Sequence, residues 1–542
     1  MKKPKDKDAA ILLKRQVPIR HEEIARSWLG GLPKMPEEIN WPRCSDGSPL
    51  QFVAQICCDD FPSSLWGGIG PRSGWILLFI KAGDIDGFRQ DGNAQVLHID
   101  SLGPDIEPPE DSPRLRFAGY QYRALSKPVF PEVIPNYWRK WPVDLVSYEY
   151  DVEPDKLNWP VKLYISTEEL YGAPVNEKGL NGRDIDLERP LTWRGASWVV
   201  EGILSEIDDS ERFRRDFIGN KLGLIDDPPE PDMDEFNAEF ERRRIENPNF
   251  LDGDWNHRGR ARTELTKALK KERREGWFAR AMPVLEAKIT AQNRLIAEET
   301  KKLERDRATL EADQLKRREY HLQNCHGVLA TMERRRKELQ HLLESFPGQA
   351  GEQKLNAEIK QLGEAHLQWG ARIAQNLKRA MQSILERNLE TPISQNDWKE
   401  LSAIWENERT TFWKRIDHAL LTREETGLSV DRIQKMAVRE DLLDIYTRDN
   451  LAPIAIPKQV REDLEEKVRF FDCSGRHQIG GQLIPVQTEP ELDPSNALLF
   501  QISCDLPMGW WWGDNGILYV KISKGDLAQN RFDRLEASTE CE

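Results

Sequence analysis

The run Trp510-Trp511-Trp512-Gly513-Asp514-Asn515-Gly516 puts three indoles beside a carboxylate and an amide. Aromatic walls with a few directed polar groups are how small-ligand and carbohydrate pockets are built. Asp59, Asp505 and Asp514 are carboxylates of the kind that bind a cation or act on a sugar. Geometry argues for a plainer role. Successive strand residues face opposite sides, so three consecutive indoles cannot stack as one platform. Asp and Asn before Gly are also what a tight turn requires. The stretch is therefore expected to be mainly a turn between core strands, with Trp511, Trp512 and Asp514 as candidates for a cleft rim.

Other residues have chemistry to offer. His477, beside a glycine pair, and His98, on an expected strand, are candidate general bases. Gln55 and Gln501 each interrupt an apolar strand. A buried amide needs partners, so each either clamps neighbouring backbone or lines a pocket where two halves of a domain meet. No serine elbow, His-Glu-x-x-His string or glycine-rich phosphate loop accompanies these residues. His321 and His326 are five apart and share a helix face poorly, so no metal site and no cofactor are expected. Whether the chain catalyses anything is left open.

The elements that would position these residues occur twice. FVAQICCDDFPSSLWGGIGPRSGWILLFI at 52–80 and LFQISCDLPMGWWWGDNGILYVKI at 499–522 share an order: a Gln-Ile strand, an aspartate, a tryptophan-bearing loop, a glycine and a second strand. Gln55 aligns with Gln501, Asp59 with Asp505 and Gly74 with Gly516. Paired glycines precede both, in WLGGLPKMP at 28–36 and HQIGGQLIP at 477–485. This is an internal duplication with a long insertion between its copies, a statement about fold before it is one about function.

The chain has 542 residues and a net charge of −14, enough length for more than one core. Such a balance disfavours a generic nucleic-acid binder and attraction to an anionic membrane. Seven scattered cysteines do not form a disulfide framework. The apolar run AAILL near the start is too short for a signal-peptide core, and no segment reaches membrane-spanning length. A cytoplasmic location is expected.

Along the chain, residues 1–19 read as a charged tail, 20–205 as the first half of a β domain and 206–258 as an acidic linker. A short helix is expected at 20–29. Strands are expected at 50–57, 74–80, 94–99, 160–165 and 196–203. Residues 259–390 carry leucines and isoleucines three, four and seven apart, with Pro283 and Pro347 as the main breaks. That periodicity predicts a helical, coiled-coil hairpin, turned near 346–351. Short helices follow over 391–463, one with Trp398, Leu401, Ile404 and Trp405 on a stripe. The second β half occupies 464–542. The fold class is α+β: an internally duplicated, mostly antiparallel β domain split by a long helical insertion.

The two flanking parts resemble the YwqG-like family, a bacterial domain of unknown function. The likeness rests on Gly30-Gly31-Leu32-Pro33, Trp41-Pro42, FVAQI at 52–56 and Pro71-Arg72-Ser73-Gly74 in the first half. In the second it rests on His477-Gln478-Ile479-Gly480-Gly481, LLFQI at 498–502, Trp512 to Gly516, and Asp526-Leu527 through Arg531-Phe532. The resemblance implies a repeated, mostly β domain and no established activity. A protein-binding module, immunity- or antitoxin-like by analogy, is the leading expectation. An acidic protein of this kind would suit a basic partner. A small-ligand or carbohydrate-binding protein with hydrolase activity is the first alternative, and an oligomerising role through the helices is the second. Nucleic acid is not an expected partner, because basic runs such as ERRRKE at 333–338 alternate with acids.

Overall fold

The computed structural model describes residues 9–81, 93–115, 128–149, 187–208, 242, 277–307, 312–415, 430–448, 455–474, 477–483, 492–512 and 516–540. In chain order the strands are β1 (Ala9–Arg15), β2 (Trp28–Leu29), β3 (Gln51–Cys57), β4 (Trp75–Ile80), β5 (Ala94–Ile99), β6 (Trp141–Glu149), β7 (Gln478–Gly480), β8 (Asn496–Ser503), β9 (Ile517–Ser523) and β10 (Leu535–Glu540). The helices are α1 (Trp193–Asp208), α2 (Trp277–Asp306), α3 (Ala312–Ser345), α4 (Gly348–Leu385), α5 (Gln395–Arg415), α6 (Val430–Thr447), α7 (Lys458–Ser474) and α8 (Lys524–Leu527). The chain divides into two compact units. One comprises Met1–Ser205, Leu377–Ala403 and Ser429–Glu542, and the other Glu206–Asn376 and Ile404–Leu428.

In the first unit the ten described strands form one antiparallel sheet, ordered β10-β9-β8-β7-β1-β6-β2-β3-β4-β5. The order is a palindrome about the β1–β6 pair. β5 and β10, at the two ends, come alongside each other, so the sheet nearly closes. The duplication holds down to single bonds. Cys58 N–H donates to Gly74 C=O at 2.8 Å, and Cys504 N–H to Gly516 C=O at 3.0 Å. Val143 N–H donates to Ser27 C=O at 3.0 Å, and Leu13 N–H to His477 C=O at 2.9 Å. Both Gln-bearing strands slip register at matching points, Phe52/Ala54 in β3 and Leu498/Phe500 in β8.

The paired glycines explain themselves. Gly30, Gly31, Gly480 and Gly481 all have positive φ, which only glycine adopts without strain. A Cβ on Gly30 would lie 2.1 Å from the Arg139 carbonyl oxygen, and one on Gly31 would lie 2.7 Å from Lys140 Cβ. The glycine pair therefore lets the 138–140 segment pass close against the chain just beyond β2.

Strand WILLFI of β4 is buried on both faces. Ile76, Leu78 and Ile80 enter the large core, while Leu77 and Phe79 join Trp28, Leu50 and Phe52 in a smaller one. The large core also takes Leu442, Tyr446, Leu464 and Val468 from α6 and α7. Trp66 ties the two halves together by donating its indole N–H to Leu498 C=O at 2.8 Å.

Several expectations are corrected. Residues 9–15, read as part of a charged tail, form β1 at the centre of the sheet; AAILL is buried throughout, and Arg15 at its end is 0 % exposed. Residues 20–27 are not helical, and the short strand β2 follows them. The run at 196–203 is helix α1, not strand. Its β-branched residues suggest a strand, but Ala196, Val199, Val200, Ile203, Leu204 and Ile207 are buried at helical spacing. Thr192 caps it, its Oγ1 accepting from Gly195 N–H at 3.0 Å. The first unit also recruits Leu377–Ala403, so helical residues assigned to the insertion pack as its core, with Leu377, Met381 and Ile384 buried. The strand expected at 160–165 lies outside the described residues.

In the second unit α2 and α3 pack along each other antiparallel. Arg318 meets Asp306 at 3.2 Å, and Gln292 Nε2 donates to Cys325 C=O at 2.9 Å. Ile289, Ile296 and Leu303, seven residues apart, are the buried stripe of α2. The antiparallel pair is therefore formed by α2 and α3, and at 346–347 the chain passes from α3 into α4. Pro283 sits inside α2 and does not end it. Among the described residues no helix is long and apolar enough to cross a membrane.

Candidate functional site

The first unit holds a closed network that contains His477 and Asp505, and an open cleft that none of the described sequence-predicted residues lines. At the end of β8 the chain turns through Asp505 and Trp510, whose backbones pair at 2.9 and 2.8 Å. Asp505 Oδ1 accepts from Met508 N–H at 2.9 Å, which fixes the turn. Its Oδ2 lies 2.6 Å from His477 Nε2, and Arg15 pairs with the same oxygen. His477 Nδ1 is 3.3 Å from Ser503 N–H. A nitrogen that accepts a backbone N–H carries no proton, so the hydrogen is on Nε2 and is donated to Asp505.

This His-Asp-Arg network is sealed. Arg15, His477 and Asp505 are 0, 3 and 2 % exposed. Trp510 stands edge-on to the imidazole at 5.3 Å, and Arg15 lies over the Trp141 ring at 5.4 Å. Burial, then the neighbouring Arg15 charge, hold His477 well below the usual histidine range. A neutral, fixed imidazole without solvent access suits a structural clamp. A general base must reach a substrate proton.

The first half answers with an open version. Ser27 occupies the place of His477, and its Oγ accepts from Cys57 N–H at 2.9 Å just as His477 Nδ1 faces Ser503 N–H. Asp59, the counterpart of Asp505, is exposed and pairs with Arg26 at 3.1 Å. His98 is half-buried, with Nε2 2.9 Å from Ser73 C=O.

Gln55 acts on backbone. Gln55 is fully buried; it accepts from Lys34 N–H at 2.8 Å and donates to Lys34 C=O at 3.0 Å. Gln501 is buried in β8 opposite Gln478. Neither lines the cleft. Trp510 and Trp512 pack with Trp138, their ring centroids 5.9 and 6.4 Å from its own, and Trp511 is half-buried. The triple tryptophan is thus largely core. Asp514 lies outside the described residues. No group of three or more His, Cys, Asp or Glu is placed to hold a metal ion among the described residues.

The open feature is a cleft of about 670 Å3 where the first half, through Gly31 to Lys34, meets the second, through Met508 and Gly509, beside α6. Sequence reasoning missed it, because its walls come from eight separated stretches of chain between Ile19 and Gly509. Most of its charges are matched. Arg139 pairs with Glu440 and reaches Asp444 at 3.6 Å. Arg448 meets Asp444 at 2.7 Å and Glu390 at 2.9 Å, and Arg20 meets Asp144 at 2.6 Å.

Compared with known proteins, residues 27–167 and 366–541 match a family described as a domain of unknown function, DUF1963. The match breaks across the helical region, as an inserted domain requires. No curated protein matches the chain.

Proposed function

We propose, from the premise that the chain belongs to the DUF1963 family, that it is a non-catalytic, cytoplasmic protein-binding module of the YwqG-like kind. The duplicated sheet is its scaffold, and the helical pair α2–α3 is its docking arm. The observation behind this reading is the state of that pair. Ile289, Ile296 and Leu303 are buried, while Lys288, Arg294, Lys301, Lys302, Arg334 and Lys337 are exposed. Residues 277–345 hold 14 Lys and Arg against 11 Asp and Glu in a chain of net charge −14. A basic arm on an acidic protein is suited to an acidic partner surface, the reverse of the basic partner that overall charge suggests. An immunity-like role remains an analogy consistent with such pairing. The sealed His477–Asp505 pair favours binding over catalysis.

The test is affinity capture by the purified full chain at low salt, against a variant carrying Lys301→Glu, Arg334→Glu and Lys337→Glu. A stoichiometric acidic partner retained by the parent and lost by the variant supports the reading. Identical captures, or nucleic acid as the retained species, would sink it. A second reading, small-ligand binding, is favoured by the cleft at the junction of the two halves.

A further inference from the structure

We propose that the junction cleft binds a small organic anion, held by the ammonium groups of Lys34 and Lys140. This inference rests on the small-ligand reading and gives it a chemistry.

The argument starts from charge matching. The arginines of the cleft have carboxylate partners. Among the described residues, no carboxylate lies within ion-pair distance of Lys34 or Lys140. Lys140 is half-buried, and its ammonium lies 4.5 Å from the centre of the Trp28 ring. Burial, then the like charge of Lys34, lower its pKa, while Asp105, which lines the same cleft, partly offsets this. Two neighbouring, half-buried cations with no ion-paired carboxylate, and only Asp105 as a nearby counter-charge, form a site that an anion stabilises.

The second strand of the argument is how the two lysines are held. Gln55, the amide buried in β3, grips both backbone groups of Lys34. Gly31 gives way to Lys140, whose Cβ would otherwise be 2.7 Å from a side chain at that position. The glycine pair and the strand glutamine therefore fix the two cations on one wall. Leu32, Ile19 and Met508 add apolar surface. A volume of about 670 Å3 suits a ligand larger than a bare inorganic ion. The ligand that fits is a carboxylate or phosphate monoester on an apolar body.

The test is calorimetric titration of the full chain with phenyl phosphate, benzoate and neutral benzamide at low ionic strength. One of the two anions is expected to bind saturably, at least about tenfold more tightly than benzamide, and which one it is separates phosphate from carboxylate. Lys140→Gln and Lys34→Gln are each expected to weaken that anion by about tenfold or more, with melting temperatures no lower than the parent's. Lys140→Arg, which keeps the charge, is expected to retain binding. Equal binding of benzamide and the anions, or unchanged anion binding in both Gln variants, overturns the anion site but leaves a ligand cleft. Absence of binding by all three probes overturns both.

Discussion

Replacing Gly30 by alanine separates the two reasons for the glycine pair. The residue has φ +58°, and a Cβ would sit 2.1 Å from the Arg139 carbonyl oxygen. The backbone conformation alone costs a non-glycine residue about 1–2 kcal/mol. Gly47 isolates that cost, because it has φ +84° and nothing within 4 Å of its added Cβ. Gly480, the equivalent of Gly30, is intermediate. Its Cβ would meet Leu65 Cδ1 at 2.5 Å, a flexible side-chain end, and the Ala9 carbonyl oxygen at 3.1 Å. At Gly30 the obstacle is backbone, so β2 and the 138–140 segment must part by roughly an ångström, a strain of about 1–3 kcal/mol beyond the conformational cost. The expected losses are about 1 kcal/mol for Gly47→Ala, about 2 for Gly480→Ala and about 3 or more for Gly30→Ala. Urea unfolding followed by tryptophan fluorescence measures all three. If Gly30→Ala costs no more than Gly47→Ala, the close approach is not what the glycine serves.

Asp505→Ala strips Arg15 of its buried counter-charge and should cost about 3–5 kcal/mol, whereas Asp59→Ala, at the equivalent exposed position, should cost under about 1 kcal/mol; equal losses in urea would contradict the division into closed and open halves. Gln55→Met removes the partners of both Lys34 backbone groups and should cost about 2–3 kcal/mol, with faster hydrogen exchange at the Lys34 amide. The pH dependence has two opposed parts. Asp441, buried and accepting from Leu191 N–H, Thr192 N–H and Thr192 Oγ1, is pushed up to about 7, burial being the main cause. Its folded form takes a proton that the unfolded chain does not take until near pH 4, so its contribution falls as pH rises from about 4 to 7. His477, held low, contributes fully above the unfolded value of about 6.5 and loses that contribution as pH falls below it. Melting temperature against pH should therefore shift in opposite senses in Asp441→Asn and His477→Gln; parallel profiles would refute the assignment.

Much of the fold is legible because the repeat is written in residues with strict geometry. Gly30-Gly31 and Gly480-Gly481 mark positive φ, and Gln55 and Gln501 mark the same register slip in β3 and β8. What escapes is set by distant packing. AAILLKR looks like a charged tail because its burial comes from β6 and β7, more than a hundred residues away. SWVVEGIL in α1 reads as strand because local β propensity is overruled by a helical stripe. Of the candidate site, His477 and Asp505 are brought together, but in a sealed core. Lys34 and Lys140 carry no motif, and only the fold brings them to one wall.

The central claim is that the two separated halves build one β unit on which the helical arm is an addition. Scanning calorimetry of the full chain and of a version with residues 209–376 replaced by a flexible linker tests it directly. The linker leaves Leu377, Met381, Ile384 and Glu390 in place, with Glu390 pairing Arg194 and Arg448. A long loop is cheap to close, so the account predicts that the cooperative transition of the β unit survives with its melting temperature nearly unchanged. Loss of any cooperative transition in the linker version would contradict it.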